Sequence, residues 1–276
     1  MVEIGKFNKL KALRKVEFGM FLDGAEDGEI LLPRRYVSED LKVGDEIEVF
    51  IHFDSEDRLT ATLDKPKAQV GEFANLMVKS VERVGAFLDW GLGKDLFLPF
   101  SEITRDIRMG QSVVVYLYLD KSDRIAATMR LERHISKEPA NYTTGQEVNL
   151  LVASKTDLGF KALVNKAHWG MIYANEVFDN IYLGQAMKGY IKQVRPDGKI
   201  DLALQKLGHK SSEDIGPLIM EKLREGGGFL AINDKTSPEL IYDMFGVSKK
   251  KYKMALGDLY KKRLLTVKDD GIYLNK

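Results

Sequence analysis

The strongest constraint on the fold is an internal repeat of glycine and proline positions. The second copy follows the first at an offset of 66 residues, with no gap between the shared positions. These positions are Gly5, Gly19, Pro33 and Gly44 in the first copy and Gly71, Gly85, Pro99 and Gly110 in the second. A third, more diverged copy follows at an offset of 74, with Gly145, Gly159, Gly184 and, in the proline position, Tyr173. A fixed period of this kind predicts repeated structural units.

Each repeat has the pattern of β structure. The segments Glu46–Phe53 and Ser112–Leu119 are short, rich in β-branched and aromatic residues, and bounded by Gly or Asp turn signals. The sequence Pro-Asp-Gly at 196–198 is typical of a tight turn. Glycine inside a strand allows the chain to bend or another backbone to approach closely. These features predict that each copy folds as its own small closed barrel.

Two runs within the repeats resemble the S1 RNA-binding domain, which is a five-stranded OB barrel. They are Leu-Phe-Leu-Pro-Phe-Ser-Glu-Ile at 96–103 and Gly-Met-Ile-Tyr-Ala-Asn-Glu-Val at 170–177, and both are similar to the third-strand pattern of that domain. The glycine at the start of each unit and the Gly-Ala-Phe second strand agree with it. The resemblance implies three S1-like OB domains, at residues 1–65, 66–138 and 139–209.

The tail of the chain changes from period 2 to helical periodicity. We expect a first helix capped by Ser212, a second helix that begins with Ser237 and Pro238, and a third helix over Lys249–Lys262. A short strand after the first helix and a C-terminal hairpin complete the order of a winged-helix domain at 210–276. The Gly-containing turn between the second and third helices is typical of helix-turn-helix.

Three S1-type barrels followed by a winged helix are similar to the conserved virulence factor B family of bacterial RNA-binding regulators. The domain order and the length of 276 residues both agree. The resemblance implies a mainly β fold with an α+β C-terminus. It also implies RNA binding that regulates gene expression post-transcriptionally, with no enzymatic activity, no cofactor and no metal.

Charge changes from acidic to basic along the chain, although the whole chain carries only +1. The net charge is −4 over 1–70, 0 over 71–140, +2 over 141–209 and +3 over 210–276. A polyanion is therefore expected to prefer the C-terminal half. Random scatter is the alternative interpretation, because each step is only a few charges.

The chain contains no cysteine, which excludes disulfides and thiolate metal sites and suits a reducing compartment. Its first residues have no apolar leader segment, and no run of 18 apolar residues follows. We therefore expect a cytoplasmic protein with no membrane partner. The short junctions at 65–67, 137–139 and 208–212 further predict four domains with a fixed relative orientation.

The S1 resemblance implies equivalent contact positions in each copy. These are an aromatic before the second-strand glycine, another two residues after it, a His fourteen residues past it, and an Asp and an Arg four apart. The first copy keeps Phe18, Phe21 and Arg58, and the second keeps Phe87 and Arg124. Proline replaces the His in both copies, so neither set is complete.

The third copy has fewer aromatic residues at these positions but more cations. It offers Lys161, Tyr173, Lys192, Arg195 and Lys199. Because phosphate neutralisation dominates non-specific affinity, we expect this copy and the winged helix to form the main RNA-binding surface. The winged-helix contribution would come from the third helix, through Lys249, Lys250, Lys253 and Lys261. The alternative is a solvated lysine face that keeps the domain soluble.

Catalysis has little support in the sequence. The four histidines, His52, His134, His168 and His209, are not paired at metal-ligand spacing, and there is no HExxH motif. The run Gly-Leu-Gly-Lys at 91–94 is better interpreted as the hairpin between strands two and three than as a phosphate loop, because an Asp follows it.

Two other kinds of binding protein stay open. The winged helix could read duplex DNA in a transcriptional regulator, or the barrels could act as the scaffold of a ribosome or RNA-degradation complex. A specific DNA reader would place Arg, Asn or Gln on the exposed helix face. That face has Lys, Gly and Met, so single-stranded RNA is predicted ahead of duplex DNA.

Overall fold

The computed structural model describes residues 1–174, 177, 180–205 and 215–275. The chain divides into two compact units, Met1–Leu204 and Gln205–Lys276. Among the residues described, the first unit contains three closed five-stranded barrels, and the second contains three helices with a three-stranded sheet. The predicted fold class, three OB-like barrels followed by a winged-helix region, is confirmed.

All three barrels have the same strand order, 1-2-3-5-4, in which strands three and five are parallel and the other pairs are antiparallel. Barrel 1 consists of β1 (Phe7–Val16), β2 (Gly19–Asp23), β3 (Glu29–Pro33), β4 (Glu46–Phe53) and β5 (Leu59–Thr62). Barrel 2 consists of β6 (Phe73–Glu82), β7 (Gly85–Asp89), β8 (Leu96–Pro99), β9 (Ser112–Leu119) and β10 (Ile125–Thr128). Barrel 3 consists of β11 (Glu147–Thr156), β12 (Gly159–Val164), β13 (His168–Tyr173), β14 (Ala186–Val194) and β15 (Ile200–Ala203).

The repeated glycine at the start of the second strand has the same role in each barrel. A Cβ atom on Gly85 would lie 2.2 Å from the carbonyl oxygen of Leu98, and one on Gly159 would lie 2.1 Å from that of Ile172. Any side chain would therefore push strand three away from strand two. The close approach expected of a strand glycine explains why the repeat keeps this position.

Barrels 1 and 2 share a buried interface. Phe50 of β4 is fully buried, yet it packs with the core of barrel 2, and its ring centroid lies 5.8 Å from that of Trp90. The ring centroid of Phe7 also lies 5.4 Å from that of Phe50. The backbone nitrogen of Val70 also donates to the carbonyl of Gly5, at 2.9 Å. These contacts support the fixed orientation expected from the short junction.

A second apolar cluster joins barrels 2 and 3. Phe73 and Val114 of barrel 2 pack with Leu131 and with Leu163 of barrel 3, and all four side chains are buried. Apolar side chains of both barrels therefore pack against the segment that connects them. Burial of this apolar surface stabilises one arrangement of the two barrels.

The second unit has the element order of a winged helix. It consists of α1 (Ile215–Glu225), β16 (Phe229–Leu230), α2 (Pro238–Phe245), α3 (Lys249–Lys261), β17 (Leu265–Lys268) and β18 (Gly271–Leu274). The sheet order is β16-β18-β17, so the short strand after α1 pairs with the hairpin. None of the helices in the described part of the chain is long and apolar enough to span a membrane.

Local sequence signals explain where α2 and α3 begin and end. The hydroxyl of Ser237 accepts from the backbone nitrogen of Leu240, and Pro238 follows at the first helical position, as predicted. Gly246 ends α2 in the left-handed conformation, with φ of 65°. The predicted cap at Ser212 lies outside the described residues.

The buried face of α1 departs from a simple apolar stripe. Ile215, Ile219 and Leu223 are buried, but Leu218 is 37% exposed and Met220 takes a place in the core. The reason is that α1 packs against both other helices and against β18, so its buried face is centred on Ile219 and extends to Met220.

Candidate nucleic-acid interface

Strands two and three of each barrel carry an outward-facing pair of residues at equivalent positions. In β2 and β7, the residues on either side of the outward one are buried in the barrel core, which fixes the direction of the pair. The pairs are Phe21 with Leu31, Phe87 with Phe97, and Lys161 with Met171. The same surface is therefore aromatic in barrel 2, mixed in barrel 1 and cationic in barrel 3.

In barrel 1 the two predicted aromatic residues lie together. Phe18 is 60% exposed, and its ring meets that of Phe21 edge-on at 6.1 Å. The guanidinium carbon of Arg14 lies 4.2 Å from the centroid of Phe21, a distance that allows a cation–π contact. The predicted Arg58 is exposed but is paired with Asp54, at 2.9 Å.

Arg34 is a further exposed cation on this surface that the sequence did not identify. Its backbone nitrogen donates to the carbonyl of Phe18 at 2.9 Å, and its guanidinium donates to the carbonyl of Glu17 at 3.1 Å. The sequence feature that could have identified Arg34 is its position directly after Pro33, where the turn folds back onto strand two. Arg34 therefore puts a positive charge next to the most exposed ring of the barrel.

In barrel 2 the predicted Phe87 has an aromatic partner that was not predicted. The rings of Phe87 and Phe97 are 5.4 Å apart between centroids, with an interplanar angle of 41°. The predicted Arg124 lies with both rings around a cleft of about 520 Å³. Its guanidinium donates to Asp57 of barrel 1 at 2.8 Å, so barrel 1 forms part of this site.

In barrel 3 two of the predicted contact residues are held by a buried carboxylate. Asp201 is only 4% exposed and accepts from the Arg195 guanidinium at 2.9 Å and from the Gln193 amide at 2.6 Å. The second guanidinium nitrogen of Arg195 donates to the hydroxyl of Tyr173 at 2.6 Å. Arg195 is therefore fixed against the barrel surface with 37% of its side chain exposed.

The electrostatics of this cluster favour the ionised carboxylate. Burial alone would raise the pKa of Asp201, but the hydrogen bonds from Arg195 and Gln193 outweigh it, and the net effect lowers the pKa. At neutral pH the cluster is thus an ion pair. Since Arg195 already has a counterion, its net attraction for phosphate is smaller than that of an unpaired cation.

The other predicted cations of barrel 3 have acidic or aromatic neighbours. The ammonium of Lys161 lies 3.2 Å from Glu132 and 4.0 Å from the centroid of the Trp169 ring. Lys199 is 73% exposed and pairs with Asp197 at 2.8 Å. Lys192 lies half-buried on β14. The predicted set is thus assembled on one barrel, but much of its charge is compensated within the protein.

On the winged helix, α3 presents the predicted lysines unevenly. Lys249 donates to the carbonyl of Lys235 at 3.2 Å, and Lys253 lies 3.5 Å from Asp234. Lys250 and Lys261 are exposed. Two of the predicted lysines of α3 therefore contact the loop before α2, and the other two are exposed.

Three of the histidines have structural contacts. The ring of His134 stacks on Tyr116 at 3.9 Å, and His168 hydrogen-bonds the hydroxyl of Tyr142 at 3.0 Å. His52 stacks beside Phe50, with 6.4 Å between centroids, whereas His209 lies outside the described residues. Within the part of the chain that the structure describes, no group of three or more His, Asp or Glu side chains could hold a metal ion.

Comparison with known families identifies the domains that carry these surfaces. The S1 domain family matches residues 4–64 and 70–130, and the CvfB-like winged helix domain family matches residues 218–274. The chain carries S1 domains and a CvfB-like winged helix domain. The third barrel lies beyond the matched S1 residues but has the strand order of both S1 domains.

Two relatives match along most of the chain. An uncharacterized protein, YitL, of Bacillus subtilis is 28% identical over 257 residues, which cover 90% of this chain and 85% of that protein. The conserved virulence factor B of Staphylococcus saprophyticus is 23% identical, covering 92% of this chain and 89% of that protein. The resemblance to the conserved virulence factor B proteins inferred from the sequence is thereby confirmed.

A solved structure also aligns with the S1 and winged helix domains. It is a multidomain protein with nucleic acid binding domains from Streptococcus pneumoniae, 24% identical, with coverage of 99% of this chain and 98% of that chain. Its TM-score is 0.45. S1 and winged helix domains are nucleic-acid-binding domains, and nucleic-acid binding is the function class that they indicate.

Proposed function

We propose that this protein binds single-stranded RNA without catalysis and regulates gene expression post-transcriptionally in the cytoplasm. The observation that carries the proposal is the pairing of outward aromatic rings with cations on successive barrels. Phe18 and Phe21 lie beside Arg14 and Arg34, and Phe87 lies beside Phe97 at the cleft that contains Arg124.

The chemistry of these surfaces suits unpaired bases. OB barrels bind single strands by stacking bases on aromatic rings while cations follow the phosphates. A duplex keeps its bases stacked on one another and offers chiefly phosphates to such a surface. Rings that face outward on or beside strands two and three therefore favour a single strand over a duplex.

The winged helix has a supporting role in this proposal. Its exposed lysines include Lys250 and Lys261, whose compact ammonium groups suit phosphates and lack the planar fork with which Arg binds two acceptors. Met254, 66% exposed between them, adds an apolar contact. We therefore propose that α3 strengthens binding to the backbone of RNA, with little dependence on sequence.

The proposal is tested by titrating the full chain with labelled single-stranded RNA, single-stranded DNA of the same sequence and duplex DNA at two salt concentrations. We expect RNA to bind most tightly and its affinity to fall as salt rises, because counterions are released from neutralised phosphates. The double variant Phe18→Ala, Phe87→Ala should weaken RNA binding. Tyr182→Ala is the matched control, since Tyr182 is 66% exposed but belongs to the connection between β13 and β14 of barrel 3.

Tighter binding of duplex DNA than of RNA would support a transcriptional regulator instead. Binding of no nucleic acid at either salt concentration would contradict the proposed function altogether. Equal losses in the double variant and in Tyr182→Ala would show that the outward rings are not the stacking surface.

A further inference from the structure

A cleft lies between barrels 1 and 2 in the described part of the first unit. Its volume is about 520 Å³. Barrel 1 contributes the end of β4, with His52 and Phe53, and the following turn, with Asp57. Barrel 2 contributes its outward aromatic pair and the turn that contains Arg124. The volume is within the range of sites that enclose small ligands.

Five of the residues that line the cleft carry aromatic rings. Phe87 and Phe97 form one side, and Trp90, only 4% exposed, lies among them with its indole nitrogen donating to the carbonyl of Lys94 at 2.7 Å. His52 and Phe53 of barrel 1 add rings from the other barrel. Burial lowers the pKa of His52, so its ring is neutral at neutral pH. Rings from two domains therefore surround one space, which suits a flat aromatic ligand.

Two cations that line the cleft share an anion, and Asp95 and Asp120 line it as well. The guanidinium of Arg124 lies 2.8 Å from the carboxylate of Asp57, and the ammonium of Lys94 lies 3.5 Å from the same carboxylate. Lys94 also donates to the carbonyl of Asp54 at 2.8 Å. All three charged side chains are about half exposed, at 61% for Arg124, 48% for Lys94 and 51% for Asp57. Ion pairs at such exposure are weak, so another anion can replace Asp57 at little cost.

An aromatic interior next to two cations matches the two parts of a nucleotide. A base has a π-face that stacks on aromatic side chains whatever its sequence identity. A phosphate is an anion that Arg and Lys bind through charge-assisted hydrogen bonds. Only an unpaired base can leave its neighbours and enter the space between two barrels.

We propose that the cleft between barrels 1 and 2 receives one unpaired nucleotide, with its base among the rings and its phosphate in place of the Asp57 carboxylate at Lys94 and Arg124. This inference rests on the proposed function and extends it, because it makes barrel 1 a wall of the barrel 2 site. The site is therefore a property of the pair of barrels and not of either S1 domain alone.

The test uses the fluorescence of Trp90 in the full chain. The protein has two tryptophans, so Trp169→Phe leaves Trp90 as the single reporter at the cleft. We expect saturable quenching when single-stranded RNA is added, and little quenching with a duplex of the same length. Titration with 5′-mononucleotides tests whether a free nucleotide also binds in the cleft. If only single strands quench Trp90, the cleft binds a nucleotide within a strand and not a free one.

Two substitutions in the barrel 1 wall have matched controls in barrel 2. Phe53→Ala removes a ring from the cleft and should reduce the affinity measured by Trp90 at least threefold, whereas Leu119→Ala at the equivalent position should not. Asp57→Asn removes the competing anion and should raise that affinity about threefold. Its control is Asp123→Asn, because Asp57 and Asp123 occupy equivalent turns with φ of 56° and 57°.

The failure of this inference can be told apart from the failure of the proposed function. If RNA binds by anisotropy but Trp90 does not respond, or if the barrel 1 variants behave like their controls, then the cleft is not the site and the proposed function stands. If RNA binds by neither method, the proposed function itself is wrong, and the cleft proposal falls with it.

Discussion

Barrels 2 and 3 have the same strand order but opposite chemistry on their outward surfaces. At equivalent positions, barrel 2 has Phe87 and Phe97, whereas barrel 3 has Lys161 and Met171. The next strand has Ala126 in barrel 2, and it has Asp201 in barrel 3. The small alanine leaves room for a cleft, while the aspartate organises an ion-pair cluster. One fold can therefore present a stacking surface or a fixed electrostatic one, and single residues decide which.

The largest effect should come from removing the charge that organises barrel 3. Asp201→Asn leaves Arg195 without its counterion. Loss of one partner of a fully buried ion pair lowers the free energy of unfolding by ~3–5 kcal/mol. Since Arg195 stays 37% exposed and can reach water, we expect the free energy of unfolding to fall by about 2 kcal/mol. Chemical denaturation measures the change. Asp197→Asn, in an exposed pair, is the control, and an equal loss there would contradict the role of the cluster.

The same cluster predicts that the stability of the folded protein depends on pH. The pKa of Asp201 is lowered in the folded protein by Arg195 and Gln193 despite burial, so its contribution to stability is complete above the unfolded pKa. That contribution is lost as the pH falls below about 4, toward the folded pKa. Thermal unfolding from pH 7 to pH 3 should therefore show a smaller acid-induced loss in Asp201→Asn than in the parent. Parallel curves for the two proteins would refute this assignment.

The comparison of the two surfaces predicts different losses of RNA affinity. Phe87→Ala removes a stacking ring and should weaken binding about tenfold, with the salt dependence unchanged. Lys161→Ala at the equivalent position should weaken binding less but reduce the slope of log affinity against log salt. Fluorescence anisotropy at several salt concentrations separates the two. If both variants change the slope alike, the distinction between a stacking and an electrostatic barrel is wrong.

The smallest effect is expected from the winged helix. Replacement of both Lys250 and Lys261 by alanine should weaken RNA binding about threefold and lower the salt slope, since each neutralised phosphate contributes about 0.7 to the slope for a single strand. Lys235→Ala is the control, because Lys235 is already paired with Asp269. A loss as large as that of Phe87→Ala would make the winged helix the main site.

Much of the fold could be predicted from local signals. The glycine repeat indicated three barrels because the close approach at Gly85 and Gly159 leaves no space for a side chain. The cap at Ser237 and the turn at Gly246 defined α2 for similarly local reasons. Such features depend on a few neighbouring residues, so they can be read without knowledge of the tertiary structure.

The site could be predicted less well because its residues act through distant partners. Arg124 was expected to face RNA, and its contact with Asp57, 67 residues earlier, depends on how two barrels pack. Counting cations favoured barrel 3, but Lys161 and Arg195 have carboxylates beside them that periodicity does not reveal. Phe97 was overlooked because a single aromatic residue in a strand is more often part of a core than of a surface.

The packing of Phe50 has a consequence for how the chain is made. This side chain belongs to barrel 1 in sequence but is buried in the core of barrel 2. Translation completes barrel 1 first, so the ring of Phe50 faces water until the strands of barrel 2 have left the ribosome. Exposed apolar surface in such an intermediate favours aggregation. Slow or interrupted synthesis of the second barrel would therefore prolong the exposure of Phe50 and favour misfolding.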